Sequence, residues 1–592
     1  MRADDPLNLA VKKRSLKVAE YDVIIRGGTV VDGLRTPRYI SDVGIKDGKI
    51  VRIGGLRGAR ATRVLDASGL IVAPGFIDLH THYDAQIYWD PYCTLSGWHG
   101  VTSVAIGNCG FGFAPSRPED KERAMLCMTR NEAIPLRAMQ AGMPWDWETF
   151  PQFMDSLDRL PKGINLITYV PLTPLYAWVL GWDEAKKRRP TAAELKEMVR
   201  LVHEGIDAGA CGWSAQILGT TSVQRDYDGT PMITDLMTEQ EALTFARVLA
   251  ERDEGFIELA YEETGEEGRP LPENVRGFFE RMAATARRPI LYQAVAPNSV
   301  HPEQHQARLR WLEDVNRRGL RIYGQGATRR GGFELTFEDW NLFDETPAWR
   351  EVTLGSREER KTKMIDPQMR RMLKAEWDAG NRPTRVIQGS VGSLIVEETA
   401  SPDFEHYCGM RVQEIADKEG KHVIDALLDL VVADDLGTEF IGETQGRDVA
   451  RYTAEVLQSP FTIAGVSDGG AHVKFLTAGN YPTDMLMWLV RDEKALSLED
   501  AHHKLSFLPA HFGGFKDRGF IREGAPADIV VYDLENLKLL PDEVAYDLPG
   551  NEWRRIQKAD GYRWTLVNGQ VTFEDGEPTG AMPGKLLRHG RG

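Results

Sequence analysis

The chain is poor in cysteine, with five in 592 residues. Five scattered thiols make no disulfide framework and fit a reducing compartment, which excludes a small secreted scaffold held by disulfides. Basic residues are in deficit: 72 Lys and Arg stand against 88 Asp and Glu, a formal net charge of −16. Such a surface repels phosphate backbones, so no nucleic-acid partner is expected. No uncharged apolar run approaches the length of a membrane-spanning helix, and residues 1–20 lack the apolar core of a signal peptide. A cytoplasmic protein with no membrane partner is the expectation. Internal repeats and low-complexity tracts are missing too. What remains is ordinary globular composition, 42% hydrophobic and 27% charged, in a chain long enough for a large core with appended modules.

The pattern along the chain divides it. Residues 1–20 read as an N-terminal arm, a candidate oligomer contact. Residues 21–73 (DVIIRGGTVVDG, DVGIKDGKIVRIG, RVLDASGLIVAPG) alternate β-branched runs with Gly and Asp-Gly turns, the signature of a small antiparallel sheet. The same texture returns in residues 513–592, with Asn568-Gly569 and Asp575-Gly576 as turn signals. One small β-sandwich assembled from both ends is expected. Residues 74–512 alternate apolar strands with amphipathic helices, as βα units do. Eight strands can be counted: PGFIDLHTH, TSVAIGN, INLITYVPL, GACGWSAQ, GFIELAY, RPILYQAV, LRIYGQG and FTIAGVSD. Eight such units predict a (β/α)₈ barrel, a TIM-like α/β fold, and the surplus length predicts an insertion at about 329–381. Thr191 to Glu194 reads as a capping box opening a helix that Gly209 ends.

His80 and His82 form an HxH pair at the end of the first strand. Side chains two apart on a strand share a face, so both imidazoles are expected at the barrel mouth, where they make half a site for a divalent metal. Asp468 ends the eighth strand, which barrel closure sets beside the first; it is a candidate ligand and a candidate proton acceptor for water. Cys109 follows the second strand, and thiolate is a good zinc ligand. A turn pair, a cap residue and a buried inert thiol are the bland readings of these residues, and their shared rim is what argues against all three. Gly107, Gly110 and Gly112 do not make a dinucleotide loop, since the G-x-G-x-x-G order is absent. His472, four residues past Asp468, is a candidate to polarise a carbonyl. His301 and His305, after the sixth strand, are weaker candidates for substrate binding. His502-His503 and His203 fall in helical runs and read as structural. Lys186 to Arg189 reads as a solvated loop. Trp340, Trp349 and Trp377 read as a lid, a subunit contact or packing within the insertion.

PGFIDLHTHYDAQ, HGVTSVAIGNCGFGFAP, GVSDGGAH and RGFIREGAPADIVVYD resemble the amidohydrolase superfamily, in particular its N-acyl-D-amino-acid deacylase (D-aminoacylase) branch, from about Tyr21 to Leu587. The resemblance implies a (β/α)₈ barrel with a β-sandwich and zinc-assisted hydrolysis of an amide. It matches His80, His82 and Asp468 to one metal position and Cys109 to a ligand of the other. It also implies a histidine at the end of the fifth strand and another at the end of the sixth, with a lysine after the latter that holds a substrate carboxylate. Here GFIELAYEE and RPILYQAVAP carry none of these.

The sequence therefore predicts a homo-oligomeric, metal-dependent hydrolase of a carbon–nitrogen bond in a small-molecule amide. His80, His82, Cys109 and Asp468 are expected to hold one tightly bound divalent ion, Zn²⁺, with Asp468 as general base. The competing readings are a cyclic-amide or lactone hydrolase or a metal-dependent lyase on the same barrel, and a non-catalytic binding protein.

Overall fold

The computed structural model describes residues 19–220, 222, 224–261, 272–299, 301–330, 334–338, 344, 346–380, 391–442 and 449–589. Most of the expected N-terminal arm, and Trp340, lie outside the described residues.

Both ends of the chain meet in one sheet. Tyr21–Val30 pairs antiparallel with Tyr39–Lys46, which turns through Asp47-Gly48 into Lys49–Ile53. Asp47 and Gly48 both have positive φ, 51° and 77°, as a two-residue hairpin turn that follows the strand twist requires. Asn568-Gly569 and Asp575-Gly576 repeat the device in the C-terminal hairpins. The halves join where Ile71–Pro74 lies antiparallel to Ile529–Tyr532, with Val72 opposite Val531. Val23, Ile25, Val43, Leu65, Val72, Ile529, Val531 and Leu566 bury one face of this nine-stranded sheet; each such side chain contributes about 1.5–3 kcal/mol.

Eight parallel strands follow, here β1 (Phe76–Asp78), β2 (Val101–Ile106), β3 (Asn165–Thr168, continued by Val170–Pro171), β4 (Gly212–Ile217), β5 (Phe256–Tyr261), β6 (Ile290–Val295), β7 (Ile322–Ala327) and β8 (Thr462–Gly465). They correspond to the eight apolar runs of the sequence. Each pairs in parallel with the next, β3 reaching β4 through Val170 and Pro171. Their apolar runs do not alternate because both faces are covered, as in VTSVAI, buried at every position. Beyond β8, Gly469 forms a parallel bridge with Thr81, and His82 N donates to Gly469 O at 2.7 Å. The ends of the first and last strands are thus side by side. The helix Ala192–Asp207 has its capping box at Thr191 and Glu194 and buries Met198, Val202 and Ile206.

Two details correct the sequence reading. The insertion after β7 does not stop near Asn381. It runs to Ile441, with a three-stranded antiparallel sheet of Glu334–Leu335, Glu439–Ile441 and Ile395–Glu398. Its separate core contains Trp349, Trp377, Leu427 and Phe440. Trp349 and Trp377 therefore pack inside this unit. In the run Lys186 to Arg189 only Lys187 and Arg188 are exposed: Lys186, in the last turn of the helix Trp182–Lys187, pairs with buried Asp226, and Arg189 pairs with Glu241 at 2.9 Å. Acidic partners far along the chain bring these charges in.

Candidate metal centre

The site lies where β1, β2, β5, β6, β7 and β8 end. Past β1 the chain is pinned by Thr81, whose N and Oγ1 both donate to Ala105 O. Thr81 is thereby turned to β2, and His80 and His82 face the other way, fully buried. His80 donates from Nδ1 to Gln325 Oε1 on β7 at 3.0 Å, so its Nε2 carries the lone pair that can bind a metal. That Nε2 lies 3.2 Å from Asp468 Oδ1 and 3.5 Å from Cys109 Sγ. His82 Nε2 lies 3.6 Å from the same Asp468 oxygen.

Cys109 reaches this point on a turn of left-handed residues, Gly107, Cys109 and Gly110, with φ of 80°, 54° and 74°. A Cβ on Gly110 would meet Ala215 Cα at 3.0 Å. These glycines serve a close crossing of backbones, in keeping with the absence of a phosphate loop. Asp468 is also left-handed, φ 48°, and its neighbour Ser467 donates to His80 O at 3.1 Å. The ligand types, HxH, thiol and aspartate, are thus brought together: Cys109, His80 and His82 have ligand atoms within 4.8 Å of one another.

Four further residues of the site were not anticipated. Glu258 on β5 is fully buried, and its Oε2 accepts from Cys109 N at 2.8 Å. Gln293 on β6 places Oε1 3.5 Å from Cys109 Sγ. The two strands expected to carry imidazoles thus offer a carboxylate and an amide. Gln325 is the third. Glu132, just past the helix Lys121–Asn131, is buried with Oε2 3.8 Å from His82 Nε2 and 3.7 Å from His472 Nε2. Glu258 had a signal, a lone charge within the apolar strand FIELAY; Glu132, in RNEAIPL, had none.

The other histidines divide. His472 joins the site through Glu132, to whose carbonyl its N donates. His301 is exposed beside Glu303, and His305 is buried with Nδ1 accepting from Asn298 N and Nε2 3.3 Å from Glu455. Neither contacts His80, His82, Cys109 or Asp468 among the described residues. His502 and His503 bond Tyr532 and Gly33 O, and His203 faces Glu251, all as structural residues.

The electrostatics of the donor set call for a cation. Burial works against charge on the imidazoles, yet Glu132 and Asp468 raise His82 to about 9. Burial and the charges of Glu258, Glu132 and Asp468 push the Cys109 thiol far up. Asp468 is half-buried, and although its surroundings disfavour charge, hydrogen bonds from His80 and His82 hold it well below the usual carboxylate range. Three carboxylates converging on two imidazoles and a thiol fit a divalent cation, whose charge compensates them and ionises the thiol. His80, His82 and Cys109 could hold it, with Asp468 beside the two imidazoles.

The Amidohydrolase family model matches residues 63–573. An uncharacterized protein of Mycobacterium tuberculosis is 27% identical over 602 aligned residues, 94% of this chain and 92% of that one. N-acyl-D-glutamate deacylase of Alcaligenes xylosoxydans xylosoxydans is 27% identical over 575 residues, 96% of each chain. Among solved structures, D-aminoacylase superposes with a TM-score of 0.64 at 22% identity, over 96% of this chain and 99% of that one. N-acyl-D-glutamate deacylase from Bordetella bronchiseptica, solved with zinc and a phosphonate mimic of the tetrahedral intermediate, gives 0.63 at 23% identity, with the same coverage. No described helix is long and apolar enough to cross a membrane.

Proposed function

Because the chain belongs to the Amidohydrolase family, we propose that it hydrolyses a non-peptide carbon–nitrogen bond in a small N-acylated substrate, using one tightly held divalent ion. In this reading the eight strands close as a (β/α)₈ barrel, and the sheet made by both chain ends is its β-sandwich. The observation that carries it is the convergence of His80 Nε2 and His82 Nε2 on Asp468 Oδ1, at 3.2 and 3.6 Å, with Cys109 Sγ beside His80.

Zinc bound by these four residues would polarise the scissile carbonyl and acidify water. Asp468 takes the proton of the attacking water, because it stays ionised and its side chain keeps 19% exposure while its partner imidazole His80 has none. The same carboxyl group returns that proton to the departing nitrogen, so one residue serves as base and then acid. Gln325 holds His80 in the tautomer that offers Nε2. Glu258 secures the Cys109 turn through the backbone.

N-acyl-D-glutamate deacylase among the relatives supports an amide substrate. RPILYQAVAP has no lysine where the deacylase resemblance places one after the sixth strand, so the acyl amino acid preferred need not be the deacylases' own. A panel of N-acyl amino acids of both hands, cyclic amides and lactones tests the reading. Hydrolysis confined to acyclic amides and lost on metal removal is expected; turnover of lactones alone would overturn it.

A further inference from the structure

Six ligand-capable atoms follow one another across the site. Cys109 Sγ lies 3.5 Å from His80 Nε2, and His80 Nε2 lies 3.2 Å from Asp468 Oδ1. Asp468 Oδ1 lies 3.6 Å from His82 Nε2, His82 Nε2 3.8 Å from Glu132 Oε2, and Glu132 Oε2 3.7 Å from His472 Nε2. Two ligands on one zinc, each about 2.0–2.3 Å from it, stand roughly 3–4 Å apart. Every step of the series has that spacing. A single four- or five-coordinate ion that keeps a place for water cannot use all six.

The surplus lies at the Glu132 end. Glu132 is 1% exposed, and its Oε2 has no hydrogen-bond partner among the described residues. Its other oxygen accepts from Asn131 Nδ2 at 2.7 Å, which fixes the carboxylate with Oε2 turned to the two imidazoles. Burying a carboxylate costs several kcal/mol unless a cation or donors compensate it. The backbone is arranged to keep it there. His472 N donates to Glu132 O, and both Ala133 and His472 adopt left-handed φ, 49° and 53°, a cost that residues with a Cβ bear where a site requires it.

We propose that Glu132 and His472, whose Oε2 and Nε2 lie 3.7 Å apart, bind a second and weaker divalent cation on the side of His82 away from Cys109, with water completing its coordination. The proposal rests on the reading that His80, His82, Cys109 and Asp468 hold the tight ion. It differs from the two-position pattern implied by the resemblance, in which the second ion needs Cys109 and imidazoles from β5 and β6. Those strands present Glu258 and Gln293 here. A carboxylate and imidazole set without thiolate suits manganese as well as zinc.

Protein carrying its tight zinc, titrated with Mn²⁺ under equilibrium dialysis, gives both metals per chain by elemental analysis. Wild type is expected to take up one manganese while keeping its zinc. Glu132→Gln and His472→Asn should each weaken manganese binding at least about tenfold, and their retained zinc shows that the fold and the first site persist. Absence of manganese uptake by wild type, or uptake by both variants with wild-type affinity, would overturn the second site. Zinc-dependent turnover measured in the same samples separates that failure from failure of the first reading.

Discussion

His80 donates from Nδ1 to Gln325 Oε1 across 3.0 Å, a bond between the first and seventh parallel strands that decides which ring nitrogen faces Asp468 and Cys109. An imidazole can turn only one nitrogen to a metal, so the amide on β7 selects the tautomer. Gln325→Leu removes that acceptor and leaves His80 free to flip. Zinc affinity, measured by competition with a chromophoric chelator, should fall about 10–100-fold. Unchanged affinity would show that Gln325 does not position the ligand.

Asp468 is both a ligand and the proposed base. Asp468→Asn keeps its size and its left-handed turn but cannot accept the proton of water. At saturating zinc, kcat should fall by about 10²–10⁴, in steady-state assays with metal content checked for each sample. A variant with near wild-type kcat would move the base elsewhere.

Acid should destabilise the fold through buried histidines distant from the metal ligands. Burial holds His502 neutral, its pKa lowered to about 3, while its Nε2 bonds Tyr532 at 2.7 Å. Below about 6.5, the unfolded value, the unfolded chain takes up a proton that the native chain refuses. The contribution is therefore present above that pH and is lost as pH falls from about 6.5 toward 3, by up to about 1.4 kcal/mol per unit. His99, lowered to about 4 by burial, has the same sign. His502→Gln should reduce, without abolishing, the loss of urea stability between about pH 7 and 5. An identical pH slope in the variant would contradict this.

The inserted unit has a core of its own, with Trp349 at 1% exposure. Trp349→Ala should cost that unit about 3–5 kcal/mol, seen as an earlier transition in denaturant fluorescence. Zinc content should stay unchanged, because the metal ligands lie outside this core. A single transition shifted by less than about 1 kcal/mol would mean that Trp349 is not a core anchor.

Much of this was legible because local rules dictate it. Asp-Gly and Asn-Gly announced the hairpins, uninterrupted apolar runs announced strands buried on both faces, and Thr191 with Glu194 announced a helix start. His80 and His82 announced themselves by spacing. Glu132 and Gln325 stayed hidden because their roles depend on what lies opposite them in space, and neither sits in a local pattern. The extent of the insertion was hidden for the same reason, since Leu335 packs in one core with Phe440 from the far end of the segment. Glu258 alone could have been suspected, as a charge buried within an apolar strand.

In the proposed reaction a metal held by His80, His82, Cys109 and Asp468 drives hydrolysis of a carbon–nitrogen bond. Its most direct test is zinc per chain and amide hydrolysis followed together as a chelator strips the purified protein and zinc is restored. Close to one tight equivalent is expected, with activity falling in proportion to its loss and returning with it, and no such equivalent in His80→Ala. Full amide turnover by protein stripped of metal would contradict it.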